Sequence, residues 1–371
     1  MFKFRASRTR TAFALLLVAG LVATGCGDDD DDATGGGGGG GGDGDAVNVA
    51  LLLPDTDTAR YDTKDRPLFE AKIAELCPDC PDVQFSNAAQ DASEQQSQAE
   101  AALTNGADVL VLDPVDGAAA ASIVNLAEEQ DVPVISYDRL IPDAPIDFYI
   151  SHDNERVGQM QAEALVEKLE TDGVTEGDIV MINGSPTDNN ATLFKEGAHS
   201  VLDDSNYEIA VEYDTPEWSP DQAQAEMDQA ITELGDDGFV GVYAANDGTA
   251  GGAISAMESA GIDPIPPTTG QDAEVAAIQR ILAGEQYMTI YKPIKPLAEN
   301  AAEVALALAR GEEIPDEFNT DDVDGVPSNI LDPMPVTAEN IADTVIADEF
   351  WSVDEICTAD YADACAEAGI S

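Results

Sequence analysis

The sequence predicts an α/β protein made of two doubly wound modules, each a parallel sheet covered by helices. Three observations carry this. Short apolar runs alternate with amphipathic stretches of helical length from Val47 onward. The alternation restarts near Asn154 with segments of similar size. Polar residues gather where the apolar runs end. Strands buried on both faces read as continuous apolar runs, and a parallel pair needs a helix-sized crossover between its members.

The elements follow in order. "VNVALLL" is a buried strand stopped by Pro54, and "RPLFEAKIAEL" an amphipathic helix. "VQFS" is a strand and "EQQSQAEAALTNG" a helix ended by Gly106. "DVLVLDP", "GAAAASIVNLAEEQ" and "VPVISYD" continue as strand, helix and strand. The second module runs "NERVGQMQAEALVEKLE", "DIVMING", "NATLFKEGAHSVL", "EIAVEYD", "SPDQAQAEMDQAITEL", "FVGVYAAND" and "GTAGGAISAMESA", again alternating helix and strand. Residues 311–335 are rich in Pro and Asp and read as a crossing segment without elements of its own.

Ahead of Val47 the chain has a different character. Lys3, Arg5, Arg8 and Arg10 precede the apolar run "TAFALLLVAGLVATG" and then Cys26. A basic head, a short apolar core and small residues before a cysteine predict a lipoprotein signal peptide over 1–25, with Cys26 lipidated. The apolar run is too short for a permanent spanning helix. Residues 26–46 are acidic and glycine-rich and predict a flexible tether. The domain is therefore expected outside the cytoplasm, held at the membrane through its lipid alone.

The chain has 16 Lys plus Arg against 74 Asp plus Glu, a formal net charge of −58. Such a surface repels nucleic acid and anionic lipid headgroups, which excludes both as partners. Self-repulsion on this scale is relieved by salt, so a saline medium suits the fold. Beyond Cys26 there are Cys77, Cys80, Cys357 and Cys365. Four cysteines allow three connectivities. Outside the cytoplasm the local pairs Cys77–Cys80 and Cys357–Cys365 are the expected ones. The "CPDC" run follows a helical pattern, whereas a redox CxxC opens a helix whose N-terminus acidifies the thiol.

In open α/β sheets ligands sit beyond the carboxyl ends of the strands. The scarce cations Arg60, Lys64, Arg139 and Lys292 all fall there. So do Asp138, Asp188, Asn189, Asn190, Asn246, Asp247 and Asp272, with Tyr61 and Trp218 as flat apolar faces. Planar side chains against C–H-rich faces, ringed by charged and amide groups, suit a sugar, whose hydroxyls each donate and accept. Trp218 is expected to face Tyr61 across a cleft.

Several stretches in one order, "VPVISYDRLI", "DFYISHDNERVGQMQAEALV", "GSPTDNNATLFKEGA", "AANDGTAGGAI", "GQDAEVAAIQRILAGEQYMTIYKPI" and "VPSNILDPMPVT", closely resemble the D-xylose-binding proteins of ABC-type sugar importers. The resemblance covers about 47–346. It implies two lobes joined by a three-strand hinge and closing on one monosaccharide, a permease as partner, and a monomer. It assigns sugar contacts to Arg60, Asp138, Arg139, Asp188, Asn189, Asn190, Asn246, Asp247, Asp272 and Lys292. Tyr61 stands where the family carries Trp, and the loop before "KD" is one residue longer. With "YISHDN", "TIYKP" and "VPSNILDP" as crossings, an N-terminal lobe over 47–153 plus 293–326 and a C-terminal lobe over 154–292 plus 327–371 are expected. No cofactor and no metal is implied: "NTDDVDG" lacks the spacing of a calcium loop, and "GTAGGA" has no phosphate-binding lysine. A sensor module feeding a chemoreceptor or kinase, and a glycoside hydrolase using paired carboxylates, are the alternatives.

Overall fold

The structure is a computed structural model that describes residues 46–370. The expected signal peptide, Cys26 and all but the last residue of the expected tether lie outside the described residues. The first lobe opens with β1 (Val49–Leu53), α1 (Arg66–Leu76), β2 (Gln84–Asn87), α2 (Ala92–Thr104), β3 (Val109–Leu112), α3 (Gly117–Glu128), β4 (Val134–Tyr137) and β5 (Phe148–His152). The second lobe follows with α4 (Asn154–Thr171), β6 (Gly177–Asn183), α5 (Asn189–Leu202), β7 (Tyr207–Asp214), α6 (Pro220–Leu234), β8 (Gly241–Ala244), α7 (Asp247–Ala260), α8 (Val275–Ala283) and β9 (Thr289–Tyr291). Then come α9 (Ile294–Ala309), β10 (Asp321–Val323), β11 (Val326–Leu331), β12 (Met334–Val336), α10 (Val353–Ile356) and α11 (Ala362–Glu367).

The first sheet has the order β10-β11-β5-β4-β3-β1-β2, parallel apart from β10. Leaving out β10 and β11, this is the order in which the chain reverses direction between β1 and β3, the switch point that opens a crevice. The second sheet, β7-β6-β8, is parallel with the same reversal, and β9 pairs antiparallel with β12. Strands β1 and β3 are buried at every position, as runs of Val and Leu covered on both faces must be. Helix α9 lays Leu297, Ala301, Ala302 and Ala305 against this sheet and α1. Its small side chains allow that close approach.

The chain crosses between lobes at Asp153, at Lys292–Pro293 and at Asp332–Pro333. The last crossing differs from the sequence expectation at 326. Residues 311–335 do contain elements: β10 and β11 form a hairpin, and β11 pairs in parallel with β5, from Ser328 opposite Tyr149 to Leu331 opposite His152. "VPSNIL" therefore belongs to the first lobe's sheet. Both local disulfides form, Cys77–Cys80 and Cys357–Cys365. Cys77 caps the C-terminal end of α1, the end that does not acidify a thiol. Gly252 is required by packing: a Cβ there would lie 2.2 Å from the Pro220 carbonyl oxygen of α6.

Candidate functional site

The two lobes face each other across a small polar cavity at the carboxyl ends of their strands. Thr58, Arg60, Tyr61, Asp138 and Arg139 line it from the first lobe. Asp188, Asn190, Phe194, Trp218, Asn246, Gln271, Asp272 and Lys292 line it from the second.

The first-lobe half is an ion network buried from solvent. After β1, the Asp55 carboxylate accepts from Thr58 N at 2.8 Å and from Arg139 Nη2 at 3.0 Å. Arg139 also donates to the Pro114 carbonyl at 3.2 Å and lies 3.6 Å from Asp113. The backbone after β4 aims it: Ser136 Oγ donates to Arg139 O and accepts from Ile141 N. Arg60 pairs with Asp138 and, at 3.4 Å, with Asp65. Tyr61 OH donates to Asp138 at 3.2 Å, and the Tyr61 ring lies 4.8 and 5.8 Å from the Arg60 and Arg139 guanidinium carbons. Burial alone would push Asp138 upward, but the Arg60 and Lys292 charges hold its carboxyl well below the usual range. It is ionised, and its Oδ1 is buried without a hydrogen-bond partner. Burial pushes Asp113 well up, since a guanidinium at 3.6 Å offsets only part of the desolvation.

The second-lobe half is built from helix starts and turns. Asp188 caps α5 through Asn190 N, accepts from Trp218 Nε1 at 3.0 Å, and meets Arg139 Nε across the cleft at 3.0 Å. Asn190 donates to the Asp138 carbonyl oxygen at 3.1 Å, a second bond across the cleft. Asn246 caps α7, its Oδ1 accepting from Thr249 N. Asp272 forms an ion pair with Lys292 Nζ at 3.0 Å and stands 3.7 Å from Arg60 Nε. Trp218 meets Phe194 edge to face at 6.2 Å. It fits only because residue 184 is glycine: a Cβ there would lie 2.0 Å from the indole. Asp138, Trp218 and Asp272 have φ of 58°, 55° and 93°. L residues rarely adopt this region, and backbone strain of this kind collects at functional sites.

Three expected site residues stand elsewhere. Asn189 is the first residue of α5, half-buried and off the cavity wall. Asp247 is buried behind the wall, accepting from Gln286 Nε2, Thr289 Oγ1 and Glu274 N. It braces the turn that carries Asp272. Lys64 points away to the C-terminal segment, where its Nζ donates to the Phe350 carbonyl. The reason is local: residues 61–65 form a π-helical turn, which turns Lys64 from Arg60's side. Thr58, Phe194 and Gln271 were not expected. Gln271 adjoins Asp272 and its strand-end position was a usable signal, but Phe194 lies inside α5 and reads as core.

The facing charges balance: three cations, Arg60, Arg139 and Lys292, against Asp138, Asp188 and Asp272. With aromatic faces and amides beside them, the wall suits a small uncharged ligand that both donates and accepts hydrogen bonds. Among the described residues no group of three or more His, Cys, Asp or Glu is placed to hold a metal.

An α/β protein with paired lobes around a cleft of this kind defines a solute-binding class. Residues 49–313 match the model of the periplasmic binding protein domain, and the chain belongs to that family. It is 40% identical over 315 residues to the D-xylose-binding periplasmic protein of Escherichia coli (strain K12), covering 84% of this chain and 92% of that one. The protein of the same name from Haemophilus influenzae is 38% identical, with the same shares covered. Among solved structures, an ABC transporter solute-binding protein from Clostridium phytofermentans with bound β-D-glucose superposes with a TM-score of 0.74. It is 29% identical, over 83% of this chain and 99% of that one. The chain is thus a binding protein and not an enzyme.

Proposed function

We propose that this protein captures one monosaccharide, D-xylose first among them, between its lobes and delivers it to the permease of an ABC importer. The observation that carries the reading is the cavity wall: a charge-balanced ring of buried donors and acceptors, with Asp138 Oδ1 unpaired. A sugar hydroxyl donates to such an oxygen, while Arg60, Arg139 and Lys292 donate to ring and hydroxyl oxygens. The Trp218 and Phe194 faces cover C–H groups. Relatives named for D-xylose support the choice of sugar. We place the protein outside the cytoplasm as a monomer, anchored through lipid on Cys26, with residues 26–46 as the tether.

Calorimetric titration with xylose, glucose, ribose, arabinose and galactose tests this. One equivalent of D-xylose should bind most tightly. No heat with any of them overturns the reading. Turnover of aryl glycosides by the purified protein would overturn it from the other side. Mass-spectrometric detection of an acylated Cys26 in membrane fractions tests the anchor.

A further inference from the structure

The segment after β12 does more than finish the chain. Phe350 and Trp351 form an aromatic corner, their ring centroids 5.2 Å apart. Trp351 Nε1 donates to the Ala273 carbonyl oxygen at 2.7 Å, a buried bond one residue past Asp272. Phe350 packs against Tyr291, ring centroids 5.0 Å apart and planes tilted by 52°, one residue before Lys292. Gln279 of α8 donates to the Ile356 carbonyl at 3.0 Å, so the corner is fastened to the second lobe. From the first lobe the π-helical turn reaches it with a charge. Lys64 donates to Phe350 O and sits 4.0 Å from the Trp351 ring centroid. Burial pulls the Lys64 pKa down. The ammonium is thus partly desolvated against a π face, the setting in which such a contact is strongest.

We propose that Lys64 is a positioning residue for binding: in the closed arrangement it latches the Arg60–Tyr61 turn to the Phe350–Trp351 corner. The corner backs both Asp272 and Lys292, so the latch fixes the two halves of the cavity wall relative to each other. Lys64 touches no ligand. Its contact forms when the lobes meet and so favours the closed state, which slows escape of a bound sugar. The residue shown by its position to be off the wall still contributes to affinity. This inference rests on the sugar-binding reading for its readouts.

The test is Lys64→Met, which keeps the apolar stem and removes the charge, beside Lys64→Arg, which keeps the charge and stacks on indole. Lys64→Met should weaken D-xylose binding about tenfold, roughly 1.4 kcal/mol, with the change in the dissociation rate. Lys64→Arg should stay within about threefold of wild type. Wild-type affinity and off-rate in Lys64→Met overturn the latch while leaving the sugar-binding reading intact. A second measurement reads the contact itself, on protein saturated with D-xylose. In Trp218→Phe, Trp351 is the remaining tryptophan, since the chain has two. Adding Lys64→Met should change its emission at saturating D-xylose; an unchanged spectrum there overturns the latch.

Discussion

The two walls of the cavity are built differently. The first-lobe wall is a web of opposite charges, with Arg139 held by Asp55, Asp113 and a carbonyl, and Arg60 held by Asp65 and Asp138. The second-lobe wall is made of caps and amides, Asp188 and Asn246 at helix starts, with one ion pair, Lys292–Asp272. The web fixes its donors before any ligand arrives, because each guanidinium already has partners in fixed directions. The Asn246 cap holds one atom of its side chain and leaves the amide nitrogen to a ligand, while Asp188 turns its second oxygen to Trp218 and Arg139. The contrast assigns orientation to the first lobe and closure to the second.

Breaking the web should have the largest effect. Arg139→Ala strands Asp55 and Asp188 in a buried site, and removing one partner of a buried pair typically costs about 3–5 kcal/mol. Both the melting temperature and D-xylose affinity should fall, the latter by more than about a hundredfold. If affinity fell with no change in melting, the web would not be a structural unit. Trp218→Ala, on the other wall, should weaken binding roughly thirtyfold, as an anchor worth about 2 kcal/mol, with a smaller loss of stability.

A finer comparison lies within α5. Asn190 reaches Asp138 O and accepts from Asn154 Nδ2 at 2.9 Å, whereas Asn189 faces partly outward. Titrating Asn190→Ala should show about tenfold weaker binding, and Asn189→Ala no measurable change. Equal losses would put the wall in the wrong place.

Much of this was legible in the sequence because parallel sheets and their strand-end sites leave a one-dimensional trace. Apolar runs mark β1, β3 and β4, and the scarce cations Arg60, Arg139 and Lys292 mark the ends. What was hidden depends on rotation about an axis or on pairing at a distance. The π turn over 61–65 carries Lys64 to another face. Consecutive asparagines at a helix start point about 100° apart, so Asn190 enters the cavity and Asn189 does not. Asp247 looks the same as Asn246 in sequence but turns inward to Gln286 and Thr289. Strand β11 hides in a Pro- and Asp-rich run because its partner, β5, is far away in sequence. Trp218 does line the cavity, but Tyr61 serves the guanidinium groups with its ring.

The smallest expected effect concerns pH. Burial pushes Glu274 up to about 8 and Asp247 to about 7, with Asp247 and Asp272 adding repulsion at Glu274. Unfolded, both carboxyls ionise near pH ~4. Between roughly pH 4 and 8 the folded chain binds more protons, so stability falls as pH rises through that window. His152 and Asp138 act at lower pH. Burial pushes His152 down to about 3, so its contribution is lost as pH falls from ~6.5 toward 3, and that of Asp138 is lost only in strong acid. Scanning calorimetry should give a lower melting temperature at pH 8 than at pH 6, with a smaller difference in Glu274→Gln.

The most direct test of the central claim, one sugar held between the two walls, is the emission of Trp218 in a Trp351→Phe background during titration with D-xylose. The account predicts a saturating change at one equivalent, abolished at the same sugar concentrations by adding Arg139→Ala from the opposite wall. An unchanged Trp218 spectrum while calorimetry registers binding would put the sugar elsewhere and contradict the account.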